Sequence, residues 1–255
     1  MKKRIITSIA PMYNQSDYKS DLETELLYGE IVDVIKSKNS WCYCKNISDN
    51  YSGWIEGKHL GQYQKNSHCI INKNTIVYQK PNISSPYIFY AYLNSKICVK
   101  EIKTDWTEII LNIDNMTNGF IPTKHIKPIN ESSKKNWLNY AKDFLGTPYL
   151  LGGKTIQGID CSGLVQLALE ANNIKFPRNT SDQISFLSQN IYDTTSIEKK
   201  SLIFWEGHVA IALNQNKVLH SNAFHMKVSI EPLERVINRS LLMKKKILKI
   251  KKINF

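Results

Sequence analysis

Asp160-Cys161-Ser162-Gly163-Leu164-Val165-Gln166-Leu167-Ala168-Leu169-Glu170-Ala171 is the stretch on which the fold turns. From Leu164 onward it is apolar nearly all round, the mark of a helix buried on every side. A thiol stands at its predicted start. Helix N-termini present free N–H groups and a positive dipole end, which lower a thiol's pKa and favour the thiolate. The amides that follow can also serve an oxyanion. A cysteine before an apolar helix is equally a small hydrophobe in a core, so this segment leaves both readings open.

Working outward, Trp137, Ala141, Phe144 and Leu145 fall at i, i+4, i+7 and i+8. That spacing predicts a helix entered from the serines at Ser132-Ser133 and stopped by Gly146 and Pro148. Thr180-x-x-Gln183 has the form of a capping box opening a third helix. After Lys199 the chain reads as strands: Leu202 to Trp205, His208 to Leu213, Lys217 to His220. Helices followed by strands predict an α+β domain. Asn214-Gln215-Asn216 is turn chemistry. If Leu213 pairs with Lys217, Ala210 faces His220, and His208 becomes its diagonal neighbour on the same sheet face, ~7–8 Å away at Cα. Imidazole rings span that gap. The arrangement suits a base, His208, oriented by a second group, His220, with the thiol supplied by Cys161; two satisfied core histidines would share the spacing.

Toward the N-terminus no stretch carries a long helical period. Leu26 to Ile35, Trp41 to Lys45 and Tyr51 to Ile55 read as strands separated by Gly29 and Ser48-Asp49-Asn50. Thr75 to Tyr78, Lys96 to Val99, Trp106 to Ile110 and Gly119 to Pro122 repeat that character. The endings also match: Gly53-Trp54-Ile55 precedes Lys58-His59-Leu60, and Gly119-Phe120-Ile121 precedes Lys124-His125-Ile126. Two small all-β barrels in tandem are expected, over residues 1–63 and 64–130, with the α+β domain over 131–255. His59 and His125 read as surface positions.

Composition narrows the function classes. In 255 residues, 42% are hydrophobic and 22% charged, with 13 Tyr and 5 Trp, so packed cores are available and wholesale disorder is excluded. Lys+Arg 34 against Asp+Glu 22 leaves +12, but Lys244, Lys245, Lys246, Lys249, Lys251 and Lys252 place much of the excess in one C-terminal run interspersed with Ile and Leu, which reads first as a solvated tail, with a final strand or a polyanion contact as the other readings. The charge therefore argues for no nucleic-acid partner. No apolar run approaches a membrane span, and the N-terminal apolar stretch ends by Ala10-Pro11, short for a signal peptide. Five Cys without framework spacing argue against a disulfide scaffold. A cytoplasmic protein fits these features better than a periplasmic or secreted one. Cys42-x-Cys44 has only His68 and Cys69 near it in sequence, too little for a zinc site; no metal or cofactor is expected. Oligomeric state is not legible.

Four segments resemble a known family in its own order: Gly146-Thr147-Pro148-Tyr149-Leu150-Leu151-Gly152-Gly153, Gly158-Ile159-Asp160-Cys161-Ser162-Gly163-Leu164-Val165, Pro177-Arg178-Asn179-Thr180-Ser181-Asp182-Gln183, and Leu202-Ile203-Phe204-Trp205-Glu206-Gly207-His208-Val209-Ala210-Ile211. They resemble the NlpC family of papain-like cysteine peptidases, which cut bacterial cell-wall peptides. The resemblance implies a papain-like catalytic domain behind bacterial SH3-like barrels, with Cys161 as nucleophile, His208 as base and His220 orienting it. Thr24 to Glu30, Asp49 to Trp54, His220 to Met226 and Ile230 to Leu233 resemble the branch with tandem SH3-like barrels, the γ-D-glutamyl-L-diamino acid endopeptidases. That branch implies peptidoglycan-derived peptides with a free N-terminal L-Ala as substrates. Asp160, Ser162 and Tyr51 would then meet the substrate's amino end, with Tyr149 near the oxyanion. Asp160 also suits a helix N-cap.

Two departures stand out: Leu151 where the family usually has Trp, and Lys199-Lys200-Ser201 where it usually has Pro-Gly-Asp. The expected function is a cysteine endopeptidase in cell-wall peptide recycling. Two other readings stay open at this point: a thiol-dependent amidase or acyltransferase on the same scaffold, and a non-enzymatic wall-binding protein.

Overall fold

The computed structural model describes residues 1–113, 116–187 and 197–253. The chain forms two compact units: Met1–Ser133 with Lys154–Ile156, and Lys134–Gly153 with Gln157–Phe255.

Among the described residues, the first unit contains two seven-stranded antiparallel sheets. The first is made of β1 (Lys2–Ile5), β2 (Ile9–Tyr13), β3 (Leu22–Leu27), β4 (Ile31–Lys38), β5 (Trp41–Asn46), β6 (Ser52–Glu56) and β7 (Leu60–Gln62). The second has β8 (His68–Ile70), β9 (Asn74–Tyr78), β10 (Tyr87–Tyr92), β11 (Lys96–Ile102), β12 (Trp106–Asn112), β13 (Thr117–Pro122) and β14 (Ile126–Pro128). Their spatial orders are β3-β2-β6-β5-β4-β1-β7 and β10-β9-β13-β12-β11-β8-β14. Each strand of the second sheet stands where the strand seven numbers earlier stands in the first. The weak sequence repeat is thus a full topological repeat of two SH3-like barrels. β15 (Lys154–Thr155) belongs to this unit, where the Lys154 N–H donates to Glu25 Oε2 at 2.9 Å.

The repeated Lys-His-aliphatic endings do the same job twice. Each forms a single 3-10 turn, Gly57–His59 and Thr123–His125. The carbonyl of His59 accepts from Ile6 N–H, and that of His125 from Ile71 N–H, both at 3.0 Å. The rings lie at Nδ1···Oγ1 distances of 2.8 Å from Thr7 and 2.7 Å from Thr75. The surface placement expected for these histidines is therefore corrected: His59 is buried and His125 half-buried, because the turn folds each ring back onto its own barrel. Burial pushes both imidazoles below their ordinary pKa.

Each barrel closes on aliphatic residues of alternating strand positions. Ile5, Ala10, Met12, Leu26, Val32, Cys44 and Ile55 fill the first. Ile70, Val77, Ala91, Ile97, Ile109 and Ile121 fill the second, together with Tyr28 from the turn between β3 and β4. One barrel thus donates a core residue to the other. Its neighbour Gly29 has φ +81°, and a Cβ there would lie 1.8 Å from the Lys96 carbonyl oxygen; Lys96 N–H donates to Tyr28 O at 2.8 Å. Only glycine allows that approach. Arg4 stacks on the Tyr28 ring at 4.6 Å and donates to Leu111 O at 3.4 Å.

In the second unit α1 (Trp137–Asp143) buries Trp137, Leu138, Tyr140 and Ala141. Its cap is Asn136, whose side chain accepts from Leu138 N–H at 3.0 Å, rather than an upstream serine, and Leu145 is exposed. β16 (Gly158–Ile159) leads into α2 (Cys161–Glu170), buried from Cys161 through Leu169 as its all-round apolarity predicts. In α3 (Thr180–Phe186) the capping box does not form. Asn179 stands at the cap, and Gln183 Nε2 instead donates to Ser162 O at 3.0 Å and Pro177 O at 2.9 Å.

A five-stranded antiparallel sheet follows: β17 (Ser201–Trp205), β18 (His208–Ala212), β19 (Lys217–Asn222), β20 (Lys227–Pro232) and β21 (Ile247–Lys252), in the order β20-β19-β18-β17-β21. The lysine-rich run, expected first as a solvated tail, takes another of its readings, a final strand: it is β21, paired with β17 from Ser201↔Lys252 to Trp205↔Ile247. Ile250 packs in the core with Ile247 against it, and Lys249 is buried too, its ammonium donating to Ile184 O at 3.0 Å and to Leu187 O, while Leu248 is exposed and Lys251 and Lys252 stay partly exposed. Sequence reading also passed over α4 (Leu233–Leu242), which lays Leu233, Val236 and Ile237 against Trp205, Ala210, Ala212 and Val218. No helix among the described residues is long and apolar enough to cross a membrane.

Candidate active site

The sheet register brings the two histidines together. Leu213 N–H donates to Lys217 O at 2.8 Å, and the pairing runs Ala212↔Val218 and Ile211↔Leu219. That is the offset the Asn214–Asn216 turn predicts. His208 Nε2 and His220 Nδ1 lie 2.8 Å apart. Trp205 packs against the His208 ring, centroids 5.8 Å apart.

Cys161 is held by its neighbours in sequence. Ser221 Oγ on β19 donates to Ile159 O at 2.6 Å, and Gln183 secures Ser162 O on the following residue. The Cys161 sulfur accepts from the backbone N–H of Val209, the residue after His208, and from that of Ser162. The thiol is 6% exposed. Here the expected lowering of its pKa is corrected. Burial, then the negative charge of Asp160, push the thiol up to about 11 against the two amides and Arg178. Desolvation outweighs the helix dipole at a buried site. His208 moves the other way, to about 3, from burial first, then from the neighbouring His220 and the Arg239 charge. The resting pair is a thiol beside a neutral imidazole.

Asp160 caps α2. Its Oδ1 accepts from Gly163 N–H at 2.7 Å, Arg178 Nη1 at 2.9 Å and Ser162 Oγ at 3.2 Å. Its Oδ2 accepts from Arg178 Nη2 at 2.6 Å and Gly152 N–H at 2.8 Å. Five donors fill the roughly four lone-pair sites of a carboxylate. Arg178 and these amides hold the Asp160 pKa below the ordinary carboxylate range even against burial. An amine-binding role for Asp160 thus requires one of these donors to give up its place. Gly163 is required by the same packing, since a Cβ would sit 2.7 Å from Gly153 O and 3.0 Å from Asp160 Oδ1. Arg178 also donates to Ser162 Oγ at 2.9 Å.

Tyr149 is set by the segment 146–149, which pairs with β20: Gly146 N–H donates to Val228 O and Tyr149 N–H to Met226 O, each at 2.9 Å. Burial, then the charges of Cys161 and Asp160, push its phenol up to about 12. It is therefore a hydroxyl donor at neutral pH, close enough to Cys161 to feel its charge. Tyr51 belongs to the first unit, where its hydroxyl donates to Glu23 Oε2 at 2.5 Å. Leu151 is exposed. Lys200 adopts φ 75° at the position where the family's glycine is expected.

Two residues absent from the sequence-level site close the arrangement. Glu231 on β20 places Oε1 2.7 Å from His220 Nε2, and Arg239 on α4 grips the same carboxylate with Nη2 to Oε1 at 2.6 Å and Nη1 to Oε2 at 3.1 Å. His225 touches its outer edge, Nε2 to Oε2 at 3.4 Å. Glu231 lay within the motif quoted above; nothing in spacing alone tied it to His220. Arg239 lay on the helix that went unread. Among the described residues no group of three or more His, Cys, Asp or Glu side chains is arranged to hold a metal ion.

With this geometry in hand, likeness to known proteins is informative. Residues 146–246 match the NlpC/P60 family and residues 12–60 a bacterial dipeptidyl-peptidase SH3 domain. The chain is 27% identical to a dipeptidyl-peptidase 6 of Lysinibacillus sphaericus, covering 92% of each. It is 25% identical to a γ-D-glutamyl-L-lysine dipeptidyl-peptidase of Bacillus cereus, over 83% of this chain and 71% of that one. A crystal structure of an NlpC/P60 family protein from Bacillus cereus has the same fold at TM-score 0.78 and 21% identity, covering 91% of this chain and 94% of that one. The protein is a peptidase: an NlpC/P60-family domain at residues 146–246, preceded in sequence by an SH3 domain of the bacterial dipeptidyl-peptidase type.

Proposed function

We propose that this peptidase is a cysteine endopeptidase that cuts the γ-D-Glu–diamino acid bond of peptidoglycan-derived peptides bearing a free N-terminal L-Ala, in the cytoplasmic recycling of cell-wall peptides. One observation carries the chemistry. The Cys161 thiol lies on the amide of Val209, and the adjacent His208 is hydrogen-bonded to His220. The substrate class is supported by the names of relatives matched over most of their length, such as the γ-D-glutamyl-L-lysine dipeptidyl-peptidase.

In the proposed cycle the S–H proton passes to His208 as sulfur bonds the γ-carbonyl carbon. The Tyr149 hydroxyl is a donor available to the developing oxyanion. Collapse breaks the C–N bond, and the leaving amine takes the proton from His208. Water, deprotonated by His208, then displaces the sulfur, which is reprotonated. Ser162 and Asp160, with Tyr51, enter as the groups that read the free amine.

The test is cleavage of L-Ala-γ-D-Glu-diaminopimelate and L-Ala-γ-D-Glu-L-Lys, read by mass, with Cys161→Ala as control. Turnover of the wild type no higher than the control overturns the reading. Acetylating the substrate's amine is expected to abolish cleavage, and undiminished turnover removes Asp160, Ser162 and Tyr51 from recognition.

A further inference from the structure

The two-histidine contact leaves a question of protons: a 2.8 Å bond between two ring nitrogens needs one N–H and one lone pair, and either ring could supply either. The groups behind His220 decide it. Glu231 is buried, and its ionised carboxylate has only acceptors to offer. Hydrogen bonds from His220 and Arg239 hold its pKa far below the usual carboxylate range against burial. The nitrogen facing it, His220 Nε2, must therefore carry a hydrogen. The Arg239 guanidinium cancels the carboxylate's charge in a two-point clamp and is itself pinned over the Phe224 ring at 4.1 Å. A ring that carries only that one hydrogen has a bare Nδ1, which then accepts from His208 Nε2, 2.8 Å away. His208 is left with one unprotonated nitrogen, Nδ1.

We propose that Glu231, clamped by Arg239, is a positioning residue that sets the tautomers of His220 and His208 together, so that Nδ1 of His208 is the atom that takes the Cys161 proton. This rests on the cysteine-peptidase reading above. Without the carboxylate, His220 is free to carry its hydrogen on Nδ1. That hydrogen points at His208 Nε2 and forces the His208 hydrogen onto Nδ1, where it blocks transfer from sulfur. One carboxylate, acting on the base through His220, thereby selects which of the two ring nitrogens is basic.

The experiment uses the full chain labelled with 15N, and reads histidine tautomers by two-bond proton–nitrogen correlation at pH 7. Both His208 and His220 are expected with hydrogen on Nε2; either one with hydrogen on Nδ1 overturns the proposal without any variant. Glu231→Met, which removes the acceptor, is expected to shift His220 toward the Nδ1–H form and lower kcat at least about 10²-fold with KM nearly unchanged, since a wrong tautomer costs a serine-protease triad about 10⁴. Glu231→Gln keeps an acceptor oxygen and is expected to retain the Nε2–H form and stay within about tenfold of wild type. A folded Glu231→Met chain within threefold of wild-type kcat overturns the proposal. Alkylation of Cys161 by iodoacetamide, followed peptide by peptide, is expected to fall in parallel with kcat. Because the tautomer and alkylation readouts need no peptide substrate, a wild type inactive on wall peptides would sink the substrate assignment and leave this inference standing or falling separately.

Discussion

Replacing Arg178 by Met strands the Asp160 carboxylate. Arg178 is buried and supplies three of the hydrogen bonds at this corner: two to Asp160, at 2.9 and 2.6 Å, and one to Ser162 Oγ at 2.9 Å. Breaking a buried pair by removing one partner costs roughly 3–5 kcal/mol, because the other charge is left uncompensated. For a domain of this size that is a drop of roughly 6–20 °C in melting temperature. The pH dependence separates this cause from lost packing. In the wild type the Asp160 pKa is lowered, so its stabilisation is present above the unfolded carboxylate range and is lost as pH falls through the folded value. In the variant, burial, the largest influence on this carboxyl, is opposed by the Gly163 and Gly152 amides but no longer by Arg178, and raises the pKa, so stability recovers as pH falls and the carboxyl protonates. The gap between the two proteins is expected to be widest at pH 7 and to narrow toward pH 4. Calorimetry of wild type, Arg178→Met and Arg178→Met/Asp160→Asn at pH 7 and 4.5 reads it directly; the double variant, with no charge to strand and an amide that still caps α2, is expected to be more stable than the single one. A gap under 1 kcal/mol at pH 7, or one unchanged by pH, refutes the reasoning.

Other consequences can be checked as simply. With the thiol pushed up to about 11 and His208 down to about 3, alkylation of Cys161 is expected to be slow at pH 7 and to climb steadily up to and beyond pH 9; a plateau between pH 4 and 8, as a resting thiolate–imidazolium pair would produce, contradicts this. Lys200→Gly relieves a left-handed backbone at φ 75° and is expected to raise unfolding stability by about 0.5–1 kcal/mol, measured in urea. Thr7→Val leaves the His59 Nδ1 without its partner at 2.8 Å in a buried turn; a loss of about 1 kcal/mol is expected, with Thr75→Val showing the same in the second barrel.

What could be read from the residues, and what could not, follows the range of the interactions. The pairing of β18 with β19 is set by a three-residue turn, so the meeting of His208 and His220 was legible before any coordinates. So was the burial of α2, because an apolar surface on all sides admits no other place. The thiol's acidity was misjudged because a helix dipole can be seen in sequence while desolvation cannot. Glu231 reaches His220 by strand pairing and Arg239 by the packing of α4, and neither spacing announces it. The charge of the Lys-rich segment argued for solvent, but Ile250 packs in the core and Lys249 is buried with its ammonium on the Ile184 and Leu187 carbonyls, contacts that no local pattern announces. The weak repeat of Gly-aromatic-aliphatic signatures understated a correspondence of all seven strands.

Tyr28 carries a lesson for anyone who would cut this molecule up. Because its ring is lodged in the hydrophobic interior of the neighbouring repeat, with Arg4 laid across it and Gly29 pressed on Lys96, the duplicated modules have ceased to be interchangeable parts. A graft or swap of the leading repeat by itself would carry away one aromatic plug and leave a hole behind, so the smallest transplantable piece is the pair.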